Sequence, residues 1–249
     1  MFKLIKLFQL FAAVYTAAFF LYGEQTLLPK VEYRVGKVEL IEETNSSQKR
    51  IYDLESNQTI TYGTWIASGK GSRTEFQTEN YTLRLGSMSV GTWNNPTSFW
   101  LHSGSILFCT TEDLVMDFSS IEAKATFSGR GTFIIEALKN GGFKFIPLEA
   151  DGKIITAQGG EIKIIDGRML LVLGQPSYFG DAYDLDVMLL VKSSRLLNSF
   201  PSPLPTFGRI GLSIYKQELK LRGKYNALIG DSPTKDKLHL WSFENKEKE

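Results

Sequence analysis

The side chains that most often carry out chemistry in proteins are scarce in this chain. It contains one cysteine, Cys109, and two histidines, His102 and His239, which lie far apart and lack the spacing of metal ligands. Cys109 belongs to an apolar segment, in which a small buried residue is the expected role. A single cysteine also excludes an intrachain disulfide. We therefore expect no metal, no cofactor and no catalytic residue among these side chains.

Carboxylates are more numerous, and some of them lie close together in the sequence. The groups are Glu42/Glu43, Glu112/Asp113 and Asp181/Asp184/Asp186. A glycosidase needs two carboxylates that face each other across a cleft, and an EF-hand calcium loop needs alternating aspartates followed by glycine. None of the groups has the calcium pattern, and Asp184 and Asp186 fit better as negative charges at a helix start. A secreted hydrolase is therefore the weakest functional hypothesis.

Two glycine-containing segments, residues 68–73 and 128–132, have a composition similar to that of phosphate-binding loops. Neither segment has the spacing of a P-loop, and neither opens a helical pattern, so the anion site at a helix N-terminus is missing. We interpret both segments as tight turns, in which glycine supplies a positive φ or a close approach of the backbone.

The overall composition indicates a folded protein with a substantial core. Hydrophobic residues make up 43% and aromatic residues 12% of the 249 residues, which argues against disorder for most of the chain. The formal net charge is +1. Nucleic-acid binding normally needs a clustered basic surface, so we expect no nucleic-acid partner.

Residues 1–23 have the pattern of a secretory signal peptide. Lys3 and Lys6 precede an apolar run over residues 7–22, which is shorter than the roughly 20 residues that span a bilayer comfortably. We expect cleavage, export to the periplasm or cell envelope, and no stable membrane span after cleavage. The alternative is that this segment is kept as an uncleaved N-terminal anchor.

Residues 24–175 predict an all-β core, because short strand-like segments alternate with glycine or polar turns. These segments include residues 74–78, 81–85, 98–102, 105–109 and 132–136. Their spacing is close to the value of roughly 8–12 residues that is usual for all-β proteins. Two architectures fit this pattern, an irregular β-solenoid and a β-sandwich.

Within this core, residues 81–85 alternate in polarity. Tyr81, Leu83 and Leu85 share one face, and Thr82 and Arg84 share the other. Such an alternation predicts a strand that is buried on one face only.

Residues 176–249 predict a helical C-terminal extension. Asp181 is a candidate N-cap for a first helix that ends before the prolines of segment 201–205. A second helix is expected over residues 210–228, because its apolar residues follow helical spacing. Residues 238–241 are candidates for a last strand.

Four motifs in the β core, taken in order, resemble the FecR-type domain, the β-rich periplasmic domain of iron-dicitrate signalling. They cover residues 64–76, 83–90, 100–108 and 123–135. The residues that carry the resemblance are Gly69, Ser72, Arg73, Leu85, Gly86, Gly104, Gly131 and Thr132. At these positions we expect a structural role.

The resemblance implies a non-enzymatic domain that acts by contact with a protein partner of the cell envelope. In sigma-factor regulators this domain follows a helical anti-sigma region. Here the predicted signal peptide directly precedes the β core, so we expect that the anti-sigma region is missing. The chain therefore resembles the stand-alone exported form of the family. Envelope sensing, signalling and scaffolding are the roles that this form implies.

Exposed aromatic residues suggest a contact surface. Phe99 and Trp100 are adjacent in a predicted strand, so their rings cannot share one face, and one of them is expected to be exposed or at an edge. We select this pair as the candidate contact surface. The alternative function is a module that binds carbohydrate or a surface polymer through aromatic residues such as Trp65 and Trp93.

Overall fold

A computed structural model of the protein describes residues 28–43, 49–221, 226–231 and 238–243. The predicted signal peptide, residues 1–23, lies outside the described residues. Those ranges contain strands β1 (Lys30–Val35), β2 (Val38–Glu43), β3 (Lys49–Asp53), β4 (Trp65–Ser68), β5 (Arg73–Gln77), β6 (Thr82–Leu85), β7 (Val90–Asn95), β8 (Ser98–Ser103), β9 (Ser105–Ser119), β10 (Lys124–Ala137), β11 (Phe143–Thr156), β12 (Gly160–Lys163), β13 (Arg168–Leu173), β14 (Tyr178–Asp184), β15 (Asn226–Asp231) and β16 (Leu238–Phe243). The helices are α1 (Val187–Ser193), α2 (Arg195–Asn198) and α3 (Phe207–Leu221).

Strands β1 to β14 form one sheet, and this sheet forks at the long strand β9. The first part of β9 pairs with β6, from Thr82 opposite Cys109 to Leu85 opposite Ile106. The end of β9 pairs with β8, and this pairing is the only parallel one among the described strands. One branch therefore continues as β6, β5 and β1, and the other as β8, β7, β4, β2 and β3.

The two branches pack face to face and enclose the main core. Phe76 of β5 contacts Trp93 of β7 with ring centroids 5.0 Å apart and planes at 80°. The indole Nε1 of Trp93 donates a hydrogen bond to the hydroxyl of Tyr81 at 2.9 Å, which satisfies a polar group inside the core. The all-β core with a helical appendage is thus confirmed, and the face-to-face packing is that of the sandwich alternative.

The helices cover the opposite face of the β9–β10–β11 part of the sheet. A second apolar cluster joins Leu107, Ile134, Ile146 and Leu148 of these strands to residues of the helical segment. The members from this segment include Leu190, Leu196, Leu197, Leu204 and Ile210. These central strands are therefore buried on both faces, as their continuous apolar runs indicate. Among the helices described, none combines the length and apolar character needed to cross a bilayer.

The first helix begins later than the sequence predicted. Residues 178–184 form β14, which pairs with β13, for example Ala182 opposite Leu170. Asp181 is thus a strand residue, and its assignment as N-cap was wrong. The N-cap is Asp186, whose carboxylate accepts a hydrogen bond from the N–H of Leu189 at 2.9 Å. Pairing with an adjacent strand overrides the local helical pattern, so the sheet extends beyond residue 175.

The helix predicted over residues 210–228 corresponds to α3, which begins at Phe207 and ends at Leu221. Residues 226–228, which were predicted to be its last turn, belong to β15 instead. The last strand predicted at residues 238–241 is confirmed as part of β16, which pairs with β15.

The two glycine segments differ in structure. Residues 68–73 do form a turn between β4 and β5, in which the N–H of Ser72 donates to the carbonyl of Gly69 at 3.1 Å. The turn predicted at residues 128–132 was wrong, because this segment lies inside β10. Gly129 and Gly131 have φ values of 142° and 137°. A Cβ atom on Gly131 would lie 2.4 Å from the carbonyl oxygen of Glu149 on β11, so glycine here permits two strands to approach closely.

We predict that Gly131→Ala strongly destabilises the protein, because it combines an unfavourable φ with a backbone clash. The expected loss is about 2 kcal/mol or more of the free energy of unfolding, measured by urea denaturation. Gly211→Ala on α3 is the matched control, since a Cβ atom there meets nothing within 4 Å. The control should be neutral or stabilising by up to ~1 kcal/mol, because alanine favours the helix. Equal effects of the two substitutions would contradict the close approach of β10 and β11.

Candidate functional site

The first group of motif residues holds neighbouring turns together. The N–H of Gly69 donates to the carbonyl of Lys37 at 2.9 Å, and the hydroxyl of Ser72 accepts from the N–H of Lys37 at 2.8 Å. These bonds connect the β4–β5 turn to the segment between β1 and β2. Arg73 reaches further, since its Nε donates to the carbonyl of Ser199 at 2.8 Å. These residues therefore link the sheet to the helical extension.

Gly86 and Gly104 lie in the same region, around a buried serine network. The N–H of Gly86 donates to the carbonyl of Ser105 at 2.9 Å, and its carbonyl accepts from the hydroxyl of Ser68 at 2.5 Å. Gly104 has a φ of 81°, and a Cβ atom on it would lie 2.1 Å from the hydroxyl oxygen of Ser89. Leu85, the remaining member of this group, is a core residue. These residues are close-packed, and their polar groups described above bond to other residues of the protein.

The space beside these motif residues is too small for a substrate. It is lined in part by Ser72, Arg73 and Gly86 on the sheet side and by Arg195 and Phe200 on the helical side, and its volume is about 10 Å³. A cavity needs roughly that much space to hold a single water molecule. The contacts of the motif residues in this region are thus contacts within the protein itself.

The strongest link between sheet and helices is Arg84, which sequence reasoning placed on an exposed strand face. All four residues of β6 are buried, and Arg84 is 1% exposed. Its Nε lies 2.6 Å from a carboxylate oxygen of Glu75. Nη1 donates to the carbonyl of Leu196 at 2.9 Å, and Nη2 donates to the carbonyl of Ser202 at 2.6 Å.

The guanidinium of Arg84 also stacks on an aromatic ring. Its Cζ atom lies 4.3 Å from the centroid of Phe200, which fits a cation–π contact. Arginine suits this position because its planar fork carries several donors in fixed directions. The prediction that this strand is buried on one face only was wrong, because residues of the C-terminal extension more than 110 positions later in the chain cover the second face. No local pattern in the strand could show that.

We call Arg84 and its contacts with Glu75, Leu196, Ser202 and Phe200 the Arg84 clamp. A cleft lies next to this clamp and has a volume of about 360 Å³. Its walls are Glu32, Tyr33, Glu75, Gln77, Thr82, Arg84 and the proline-rich segment 201–205. The two carboxylates in this cleft are both ion-paired, Glu75 with Arg84 at 2.6 Å and Glu32 with Lys30 at 3.7 Å. Of these, Glu75 is a structural component of the clamp.

Thr132, a motif residue of β10, belongs to a second buried polar cluster beneath α3. Its hydroxyl donates to Glu149 at 3.2 Å and lies 2.5 Å from the hydroxyl of Thr206, just before α3. A carboxylate oxygen of Glu149 lies 2.9 Å from Arg209 in the first turn of α3. The cluster therefore fastens the start of α3 to the sheet.

Burial changes the protonation behaviour of two groups in this cluster. The side chain of Glu149 is 4% exposed, and burial raises its pKa from 4.5 to about 7, against the opposing effects of Arg209 and Thr132. Burial also raises the pKa of the Cys109 thiol, whose sulfur lies 3.4 Å from the hydroxyls of Thr132 and Thr206. A thiol with a raised pKa is a poor nucleophile, and the expected buried role of Cys109 is confirmed.

A pair of partly exposed tryptophans lies elsewhere, on the outer face of the β4–β7–β8 branch. Trp65 and Trp100 are both opposite Thr92 in register, and their ring centroids are 4.6 Å apart with planes at 64°. The exposed His102 lies 6.2 Å from Trp100 and 6.3 Å from Trp65. We call Trp65, Trp100 and His102 the outer aromatic patch.

The adjacent pair Phe99 and Trp100 is divided as the strand geometry requires. Phe99 is 1% exposed and packs against Trp93 in the core, with ring centroids 4.9 Å apart. Phe99 is therefore not available as part of a contact surface, and Trp100 is the surface member of the pair. Sequence reasoning missed Trp65 as its neighbour, because cross-strand register joins the two. It also missed His102, although His102 follows Trp100 by two residues on β8 and therefore shares its strand face.

Comparison with known proteins identifies no relative, since no family model, no curated protein and no solved structure matches the chain. Within the described ranges, no group of three or more His, Cys, Asp or Glu side chains is arranged to hold a metal ion.

We predict that Arg84→Met lowers the free energy of unfolding by about 3–5 kcal/mol, because it leaves Glu75 buried without a counter-charge. Urea denaturation measures the loss, and limited proteolysis should show faster cleavage near residues 196–202. Arg130→Met is the matched control, since Arg130 is 45% exposed and lies 3.8 Å from Asp151. Its effect should be about 1 kcal/mol or less. Equal losses in the two variants would show that Arg84 is not a clamp.

We predict a pH-dependent stability that originates at Glu149. Because folding raises the pKa of this carboxyl from 4.5 to about 7, its stabilising contribution is complete below pH 4.5 and is lost as the pH rises through 7. Thermal unfolding midpoints across this range measure the effect, and Glu149→Gln should reduce the decline. The exposed Glu161, paired with Lys153, gives the control variant Glu161→Gln, which should keep the wild-type pH profile. An unchanged profile in Glu149→Gln would place the titrating group elsewhere.

Proposed function

We propose that the chain is an exported, non-enzymatic protein of the FecR-like type that acts by protein–protein contact at the bacterial cell envelope. The proposal rests on the sequence motifs and the signal-peptide pattern, together with one observation on the molecular surface. That observation is the outer aromatic patch, which lies on a rigid sheet rather than on a loop. Sensing, signalling and scaffolding are the roles open to such a protein.

The outer aromatic patch has properties that support protein contact. Tryptophan is enriched in protein interfaces and frequently contributes much of their binding energy. Trp65 and Trp100 are partly exposed although they lie next to each other, and Ile41 and Ile51 extend the apolar surface along the same row of the sheet. Ile51 is 58% exposed. A continuous apolar row on a solvent-facing sheet face is a feature of interaction surfaces.

Binding of carbohydrate or of a surface polymer is the alternative, and the presence of two tryptophans on one sheet face favours it. The geometry of the pair is less favourable, because a sugar ring stacks on an open aromatic face. In this pair the planes meet at 64°, so the edge of one ring packs against the face of the other. This arrangement leaves less open ring face than two coplanar rings would, and we therefore rank protein contact first.

The experiment uses the tagged full chain as bait in cross-linked, intact envelope, with mass spectrometry of the proteins that co-purify. We predict that Trp65→Ala/Trp100→Ala abolishes the enrichment of a specific partner. The control is Tyr183→Ala/Tyr215→Ala, which removes aromatic residues that are 38% and 57% exposed outside the patch. This control should retain the partner, and circular dichroism should show both variants folded.

A second arm measures co-sedimentation with peptidoglycan and other insoluble polysaccharides. Tryptophan-dependent co-sedimentation without a tryptophan-dependent protein partner would establish the polymer-binding alternative. If both tryptophan substitutions leave every co-purifying protein unchanged, the patch is not the contact surface.

A further inference from the structure

Strand β3 forms one edge of the large sheet. Among the described strands it pairs with β2 alone, over Lys49–Asp53. Ile51 at its centre is 58% exposed. An edge strand with an exposed apolar residue offers unpaired backbone groups to another strand, and natural proteins usually protect such edges.

The direction of the free backbone groups follows from the pairing with β2. The N–H of Leu54 donates to the carbonyl of Val38 at 2.8 Å, which makes this a hydrogen-bonded position of the antiparallel ladder. Hydrogen-bonded and non-hydrogen-bonded pairs alternate along such a ladder. Tyr52 therefore directs its N–H and C=O towards β2, whereas Lys49, Ile51 and Asp53 direct theirs away from it, to the free edge.

These outward-facing residues can pair with themselves in a second copy. In an antiparallel arrangement centred on Ile51, Ile51 lies opposite Ile51 of the second copy, and Lys49 lies opposite Asp53 of the second copy. The three residues with outward-facing backbone groups, Lys49, Ile51 and Asp53, are thus joined to one another across the edge. The register is thus consistent with the hydrogen-bond pattern that β2 imposes.

The side chains are complementary in the same register. Lys49, Ile51 and Asp53 alternate with Arg50 and Tyr52, so they share the outer face of the sheet. An isoleucine pair is therefore flanked on both sides by a lysine–aspartate pair, and opposite charges directly across a ladder stabilise it. On the inner face, Arg50 of the second copy lies opposite Tyr52, which lines an open concavity of about 570 Å³ together with Glu55.

The other end of the main sheet path lacks this property. Strand β14 is terminal there and carries Asp181 at its centre. Self-pairing about that residue would place two aspartates directly opposite each other, which is destabilising. The charge pattern thus distinguishes β3 from β14 as a site for a second copy.

We propose that the protein forms a two-fold symmetric dimer by antiparallel pairing of β3 with β3 of a second copy, centred on Ile51. The dimer joins two sheets into one continuous sheet and extends the outer apolar row of each copy across the interface. A five-residue ladder is about 17 Å long. Stable complexes usually bury ~1,200–2,000 Å², so we expect a weak dimer whose population rises with concentration.

The test uses the purified full chain with Ile51→Cys under mild oxidation and non-reducing electrophoresis. Cα atoms across a hydrogen-bonded pair are about 5.5 Å apart, within the range for a disulfide. We expect several-fold more disulfide-linked dimer than from the control Val115→Cys, a residue that is 55% exposed on β9. The native chain sets the baseline, since Cys109 is buried.

Charge exchange tests the register in the same Ile51→Cys background. Lys49→Asp and Asp53→Lys each replace two attractive pairs by repulsive ones, and we expect cross-linking to need ~tenfold more protein. The double variant Lys49→Asp/Asp53→Lys should restore it. All variants should keep the native circular-dichroism spectrum.

Two results would overturn the proposal. The first is a dimer yield from Ile51→Cys that does not exceed the yield from Val115→Cys. The second is a double variant that cross-links as poorly as each single variant.

Discussion

The buried guanidinium of Arg84 is the constraint on which the arrangement of sheet and helices depends. It forms an ion pair with Glu75, donates hydrogen bonds to the carbonyls of Leu196 and Ser202, and packs on the ring of Phe200. A charge removed from water is tolerated only where such partners compensate it. Because the partners come from both β5 and the helical segment, the burial of this side chain ties the position of that segment to the sheet. Arg73 supports the same segment through Ser199.

This attachment determines which surfaces remain free. The helices cover one face of the central strands, and the two branches of the forked sheet cover each other around Phe76 and Trp93. The described surfaces that stay open include the outer face with Trp65 and Trp100 and the edge at β3. The outer face and the β3 edge are adjacent, because Ile41 and Ile51 connect the aromatic patch to the edge. Dimerisation through β3 would therefore place two copies of the aromatic patch on one continuous sheet.

The buried polar cluster beneath α3, in contrast, attaches this helix to the sheet. Glu149, Thr132 and Thr206 form a hydrogen-bonded chain that holds the start of α3, and Cys109 lies against it as a neutral thiol. The raised pKa of Glu149 comes from burial, which is the same cause that makes perturbed carboxyls common in active sites. Here the carboxylate contacts Arg209 and Thr132, which hold the start of α3. The attachment of α3 therefore contains a carboxyl whose pKa is raised to about 7.

By itself, the sequence determined the all-β core, the turn at residues 68–73, the burial of Cys109 and the division of Phe99 and Trp100 between two faces. These features depend on local periodicity, which two or three neighbouring residues reveal. Only the tertiary structure decided that residues 178–184 form a strand, that Gly129 and Gly131 lie inside a strand, and that Arg84 is buried. It also decided that Trp65 lies beside Trp100. Each of these features depends on which distant segment lies alongside, and that pairing is set by packing of the whole chain rather than by the local pattern.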